Sequence, residues 1–91
     1  MNWTLMETHG LVLFYIASEP EATMRRVSEA LHITERRVAQ VIGDLADEGM
    51  LRITKAGRRN IYSINPDAGF RHPTLSHLKL GKFIDVLQGR I

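Results

Sequence analysis

The 91-residue sequence contains no cysteine. This absence excludes disulfide bonds, thiolate metal sites and cysteine nucleophiles. The longest apolar run, Leu11 to Ala17, is far too short to span a bilayer, so we predict no membrane segment. No basic region precedes that run, so the N-terminus does not resemble a signal peptide, and we expect a cytoplasmic protein.

Sequence signatures of catalysis are absent as well. The chain has no nucleophile elbow, no phosphate-binding glycine loop and no paired acids in a plausible cleft, so we expect no enzyme and no cofactor. The histidines raise the alternative of a metal sensor. No two of them have the i, i+4 spacing of a helical metal site, so we predict no metal site; they are His9, His32, His72 and His77.

What is present is the composition of one folded domain, which we assign to residues 1–91. Hydrophobic residues make up 44% of the chain and charged residues 24%, which is ordinary for a globular protein. The formal net charge of +2 is too small to identify a nucleic-acid binder by itself. Whether the chain binds nucleic acid therefore has to be judged from where its charged residues lie.

Three helices are predicted in the first half of the chain, with Thr8, Thr23 and Thr34 as their N-caps. Helix 1 ends near Ala17, before Glu19 and Pro20; helix 2 ends near Leu31; and helix 3 stops at Gly49. The second and third carry a one-sided apolar period. Its members are Met24, Val27, Ala30 and Leu31 in helix 2, and Val38, Val41, Ile42 and Leu45 in helix 3.

Helix 1 differs, because residues 11–17 are apolar on every side, which predicts burial all round. A small domain cannot easily surround a helix, so we expect a second copy of the chain to cover one side. Trp3, Leu5 and Met6 are candidates to extend that surface.

A hairpin and a fourth helix follow. Residues 51–65 alternate in polarity around the turn "AGRRN", with Leu51 and Ile53 on one face, and Asn65-Pro66 ends the pairing. Helix 4 is predicted from Thr74 to Gln88, with a broad apolar stripe that packs either in the chain's own core or, as we favour, in a dimer. The predicted dimer interface consists of Leu11, Phe14, Tyr15, Leu78, Phe83, Ile84 and Leu87.

These elements define a fold class: mainly α with a β-hairpin wing, in the order helix, helix, helix, hairpin, helix. Two short helices joined by a three-residue turn make a helix-turn-helix, and the hairpin directly after them makes it winged. We assign residues 8–66 to the winged-helix core and residues 74–88 to a C-terminal dimerisation helix.

Helix 3 is basic where it starts and acidic where it ends, which opposes the helix dipole. In helix-turn-helix proteins the start of the second helix enters the major groove. Arg36, Arg37 and Gln40 are neighbours on one side and suit base reading. The alternative is that they are merely solvated. Gly43 costs the helix about 1 kcal/mol relative to alanine, which close packing against a neighbour or chance would equally explain.

Two further basic groups are predicted to meet DNA. No acid occurs from Met50 to Pro66, and the wing is assigned contacts to the backbone or the minor groove through Lys55, Arg58, Arg59 and Asn60. Phosphate contacts are assigned to Arg25, Arg26 and Thr34, although glutamates near Arg25 and Arg26 leave a purely solvated role equally open. For the wing arginines, the alternative is a hairpin tip kept polar for solubility.

The stretch "RVSEALHITERRVAQVIGDLADEGMLRITKAGRRNIYSINP" resembles winged helix-turn-helix transcriptional regulators of the MarR/ArsR type. It is especially similar to small bacterial and archaeal regulators with the signatures "ITER" (33–36), "GRRN.Y" (57–62) and "RHP" (71–73). The resemblance runs from Thr8 to Leu87 and implies a homodimer joined through its terminal helices, with helix 3 and the wing on DNA. His32 and Ser28 stand where glycine and alanine are frequent. The extra C-terminal helix of full-size MarR proteins has no counterpart, so no internal ligand pocket is implied.

We therefore expect a sequence-specific regulator that binds double-stranded DNA as a homodimer at an inverted repeat and acts as a repressor. The alternative is a winged-helix adaptor that binds an acidic protein and no DNA. A third possibility is non-specific coating of the chromosome. The sequence predicts neither the operator nor an effector.

Overall fold

The computed structural model describes residues 5–89, so the predicted role of Trp3 lies outside the described residues. Four helices and one antiparallel hairpin follow each other in the predicted order. Their bounds are α1 Thr8–Ser18, α2 Met24–Leu31, α3 Glu35–Asp47, β1 Leu51–Ala56, β2 Arg59–Ile64 and α4 Leu80–Leu87. No helix in residues 5–89 is long and apolar enough to cross a bilayer.

Two of the three predicted threonine caps are confirmed. The side chain of Thr23 accepts a hydrogen bond from the backbone N–H of Arg26, and that of Thr34 accepts one from Arg37. The prediction for Thr8 is wrong: Thr8 is already inside α1, and the N-cap residue Glu7 makes no side-chain cap bond.

The helix-turn-helix is closed by a residue in the left-handed conformation. His32 has φ 56° and ψ 44°, which is the conformation that makes glycine frequent at this position. The backbone N–H of His32 reaches the carbonyl of Ser28, whose own hydroxyl donates to the carbonyl of Arg25. Gly49, with φ 74°, ends α3 as predicted.

The core forms where α1 packs against α2, α3 and β2. All four predicted apolar residues of α3 are buried, whereas in α2 Ala30 is exposed and Ser28 takes the buried place. The single chain covers only part of α1, as expected if a second copy covers the other side, so burial of this helix all round stays a prediction. Its buried residues are Val12, Leu13 and Ile16, and its half-buried ones include Leu11, Phe14 and Tyr15.

The hairpin has the predicted faces and ends. Leu51 pairs with Ile64 and Ile53 with Tyr62, and pairing stops before Asn65. Leu51 and Tyr62 are buried, so the hairpin is anchored at its base. The turn itself is only Gly57 and Arg58, because β2 already begins at Arg59.

The predicted start of helix 4 at Thr74 is wrong, since α4 begins at Leu80. Residues 74–79 form turns instead: the N–H of Leu75 donates to His72 and that of Leu78 donates to Leu75. Leu78, expected on the helix, therefore precedes it and is half-buried. Leu80 is 2% exposed, and its N–H donates to Ala68, so the loop after β2 determines where the helix starts.

Candidate nucleic-acid interface

The outer face of α3 is open along its whole length. At 100° per residue, Arg36, Gln40, Gly43 and Asp47 lie opposite the buried stripe, and all four are exposed. The side chain of Arg36 makes no hydrogen bond or ion pair within residues 5–89. A Cβ added to Gly43 would meet nothing within 4 Å, so close packing does not explain this glycine. This outer face combines an unpaired guanidinium with an amide near the helix start.

Arg37 lies on the flank of α3 rather than on its outer face. It is half-buried and lines a depression together with residues of the α1 start, among them Glu7 and Leu11. Its Nη1 donates to the side-chain Oε1 of Gln40 at 2.9 Å. Of the three residues predicted to read bases, Arg37 and Gln40 are hydrogen-bonded to each other, whereas the side chain of Arg36 has no partner within residues 5–89.

The tip of the wing carries exposed cations without partners. Gly57 has φ 67°, the left-handed value that a two-residue hairpin turn requires and glycine adopts without strain. Lys55 and Asn60 face each other across the strands, and Arg58 occupies the turn. Within residues 5–89 neither Lys55 nor Arg58 makes an ion pair or side-chain hydrogen bond. Because α3 packs against β1, the hairpin follows directly beside the helix.

The prediction that places Arg59 in the turn is wrong, whereas its predicted contact with DNA stays a prediction. Arg59 is the first residue of β2, and its Nη2 donates to the backbone carbonyl of Glu21 at 3.1 Å. Its Nη1 also lies 4.0 Å from the Glu21 carboxylate. The N–H of Tyr62 donates to the carbonyl of Pro20, so the base of the wing is tied to the α1–α2 loop.

Arg25 and Arg26 are likewise paired with glutamates. The Nε of Arg25 lies 3.7 Å from Glu29, and that of Arg26 lies 3.2 Å from Glu19. A hydrogen bond to Tyr15, and next the charge of Glu19, raise the pKa of Arg26 above its ordinary value, so this group is always charged. Arg25, Arg26 and Arg59 line one concave surface beside the α1–α2 loop, where carboxylates offset their charge.

These observations divide the arginines of residues 5–89 into two groups. The paired arginines are those in an ion pair with a glutamate, namely Arg25, Arg26, Arg59 and Arg71. The unpaired arginines all lie in the first turn of α3 or in the hairpin, and they are Arg36, Arg37, Arg52 and Arg58.

No family model matches the chain, and no curated protein matches it either. Among solved structures, the chain is similar to the PcaV transcriptional regulator from Streptomyces coelicolor, crystallised with its natural ligand. The TM-score is 0.61 at 19% identity, over 94% of this chain and 62% of that one. The chain thus spans about three fifths of that regulator's length, and at this identity the likeness concerns the fold alone.

The fold is a winged helix. In this winged helix, α2 and α3 are the helix-turn-helix and the β1–β2 hairpin is the wing. The comparison supports the order of elements that the sequence predicts, and it does not assign a role to any side chain.

Acids near the end of α3 have partners that the sequence does not reveal. Asp44 lies 2.8 Å from the Nε2 of His9 on α1, and Glu48 lies 3.4 Å from Arg71 in the loop before α4. His9 and Asp44 are 35 positions apart, so no local spacing could have found this contact. Two of the three acids are thus used to hold the winged helix together, and Asp47 alone remains on the outer face.

The described part of the winged helix brings no three histidine, aspartate or glutamate side chains together in a way that could hold a metal ion. His72 takes part in a local turn, where its Nδ1 accepts from the backbone N–H of Thr74. The first turn of α3 and the tip of the wing offer positive charge and hydrogen-bond donors through Arg36, Lys55 and Arg58.

Proposed function

We propose that the chain is a transcriptional regulator that binds double-stranded DNA through the outer face of α3 and the wing. The observation that supports this most directly is the placement of the unpaired arginines. They are confined to the two elements that meet DNA in winged helix-turn-helix proteins, whereas every other arginine of residues 5–89 has a glutamate partner.

The two elements serve different purposes in this proposal. Arg36 and Gln40 read base edges in the major groove, since arginine pairs with guanine and a glutamine amide hydrogen-bonds to base edges. Arg58 and Lys55 at the wing contact the backbone or a narrow minor groove, and so set affinity rather than sequence. Phosphate contacts from the paired arginines and from Thr34, which caps α3, contribute less to affinity in this proposal.

We further propose that the regulator is a homodimer at an inverted repeat, because large apolar side chains stay exposed on α4. Val86 and Leu87 are 57% and 53% exposed, respectively, although the helix is only eight residues long. Two-fold symmetry of the protein then matches two-fold symmetry of the site. We propose repression as the direction, since occupying a promoter requires only the DNA-binding surface. A reporter driven by the selected site, which should fall when the protein is expressed, tests the direction.

The decisive experiment is selection of bound duplexes from a random pool, followed by titration at several salt concentrations. Arg36→Ala should change the preferred base at one position of each half-site. Arg58→Ala should weaken binding to every duplex and make the negative slope of log K against log salt shallower by about 0.9 for one lost phosphate contact. Lys82→Ala removes the same charge from an exposed residue of α4 and serves as the control.

A further variant tests the proposal through an expected gain in affinity for DNA, in addition to the expected losses. Glu21→Gln removes the carboxylate beside Arg59, so affinity for all duplexes should rise, whereas Asp85→Asn on α4 should change it little. Absence of duplex binding at low salt by the folded wild type would overturn the proposal in favour of a protein-binding adaptor. Binding without any preferred site would instead indicate non-specific coating.

A further inference from the structure

Arg37 and Gln40 are joined on α3 by a side-chain hydrogen bond, with Nη1 of the arginine donating to Oε1 of the glutamine at 2.9 Å. We infer that Arg37 is a positioning residue: it fixes the amide of Gln40 so that Gln40 rejects cytosine at the base it faces. This inference rests on the proposed function, since it concerns how the same surface distinguishes bases.

Arg36 and Arg37 are adjacent in the sequence but differ in surroundings. Arg36 is exposed and unpartnered, as expected of a group that reaches for DNA. Arg37 is half-buried beside Ile33 and the start of α1, and its backbone N–H is held by the Thr34 cap at 3.0 Å. The backbone N–H and the guanidinium of Arg37 are therefore both hydrogen-bonded within the protein before any DNA is bound.

The bond sets the direction of the Gln40 amide. Residues three apart on a helix are neighbours, so the guanidinium of Arg37 lies against one side of the exposed Gln40 side chain. A planar amide whose oxygen turns to Arg37 turns its NH₂ group away from Arg37 and outward. An amide held in this way offers DNA a donor, whereas an unrestrained glutamine rotates to offer either a donor or an acceptor.

The major-groove edges of the bases respond differently to a fixed donor. Guanine, adenine and thymine each present at least one acceptor there, whereas cytosine presents only the N4 amino donor. A donor opposite cytosine leaves both groups without a partner, which costs binding free energy. The fixed Gln40 should therefore disfavour cytosine by about fivefold, the scale of one ordinary hydrogen bond.

The test compares base preferences of wild type, Arg37→Met, Arg37→Lys, Gln40→Ala and the double variant Arg37→Met/Gln40→Ala, by selection and by titration of single-base variants of the preferred duplex. Arg37→Met should relax discrimination against cytosine at the position where Gln40→Ala also acts, and the double variant should match Gln40→Ala there. Arg37→Lys, which keeps a cationic donor, should retain more discrimination than Arg37→Met. Thermal unfolding of each variant verifies that the fold is retained.

Three outcomes would overturn the inference. If Arg37→Met weakens all duplexes equally and leaves discrimination against cytosine unchanged, Arg37 is only a phosphate contact; Lys82→Met calibrates the general effect of losing one charge. If Arg37→Met changes preference at a different position from Gln40→Ala, Arg37 reads a base itself. If the wild type binds no duplex, the proposed function fails and the inference fails with it. If the wild type binds a specific site and Arg37→Met leaves discrimination against cytosine unchanged, only the inference fails.

Discussion

Among the glycines inside helices, Gly43 and Gly81 differ in the space around them. At Gly43 an added Cβ would meet nothing within 4 Å, whereas at Gly81 it would lie 2.8 Å from the Cβ of Pro66 and 3.2 Å from its carbonyl oxygen. Gly43→Ala should therefore raise the free energy of unfolding by about 1 kcal/mol through helix propensity alone. Gly81→Ala should lower it by about 1–3 kcal/mol through overpacking.

Urea denaturation of the two variants beside the wild type measures both effects, and each variant serves as the control for the other. Equal signs would contradict the prediction, because the substitution is identical and only the surroundings differ. A loss of stability in Gly43→Ala specifically would mean that another surface covers the outer face of α3 in solution.

At the residue scale, the sequence predicts periodic positions well and pairing poorly. Val38, Val41 and Ile42 are buried as their spacing indicates, because the period of a helix is a local property. The contact between Arg59 and Glu21 spans 38 positions and depends on how the wing folds back onto the α1–α2 loop. That is why Arg59 could be expected on the surface but not beside a carboxylate.

At the scale of elements, the threonines at the starts of α1 and α3 offer a matched comparison. Thr34 caps α3 through a 3.0 Å bond from the N–H of Arg37, whereas Thr8 lies inside α1 and caps nothing. Thr34→Ala should therefore lower the free energy of unfolding by about 1 kcal/mol. Thr34→Ser should retain most of that contribution, and Thr8→Ala should change stability by less than about 0.5 kcal/mol.

Chemical denaturation monitored by circular dichroism measures all three variants. Equal losses for Thr34→Ala and Thr8→Ala would show that the threonines contribute through something other than capping. If Thr34→Ala weakens DNA binding while Thr34→Ser restores both binding and stability, the hydroxyl acts on DNA chiefly by holding the first turn of α3 in shape.

The order of the elements is predictable from the sequence, whereas the start of α4 is not. An apolar stripe from Leu75 to Leu87 predicts one long helix, yet the helix begins at Leu80. Gly69 pairs with Lys79 in an isolated bridge, and the N–H of Gly81 donates to the carbonyl of Pro66. These bonds to the loop after β2 lie outside the segment itself, so local periodicity cannot reveal them.

At the scale of the whole molecule, α4 keeps apolar side chains exposed, namely Phe83, Val86 and Leu87. Phe83 packs against Phe70 with ring centroids 4.8 Å apart and ring planes tilted by 49°. The side chain of Gln88 donates to the carbonyl of Ala17 at the end of α1. α4 is thus attached next to the half-covered α1. Half-buried apolar side chains on α1 and exposed ones on α4 are of the kind that a subunit interface covers.

We predict that the apolar side chains of α1 and α4 join two copies of the chain. Sedimentation of the wild type at micromolar concentration should give a dimer, and Val86→Lys/Leu87→Lys should give a folded monomer, since two buried ammonium groups are costly at an interface. Leu75→Lys, at a residue 40% exposed in the loop before α4, should remain dimeric.

The monomeric variant should still bind a single half-site but lose the gain in affinity that an inverted repeat provides, because one subunit spans only one half-site. A monomeric wild type would contradict the dimer while leaving the DNA-binding surface to be tested separately, since α3 and the wing are complete within one chain.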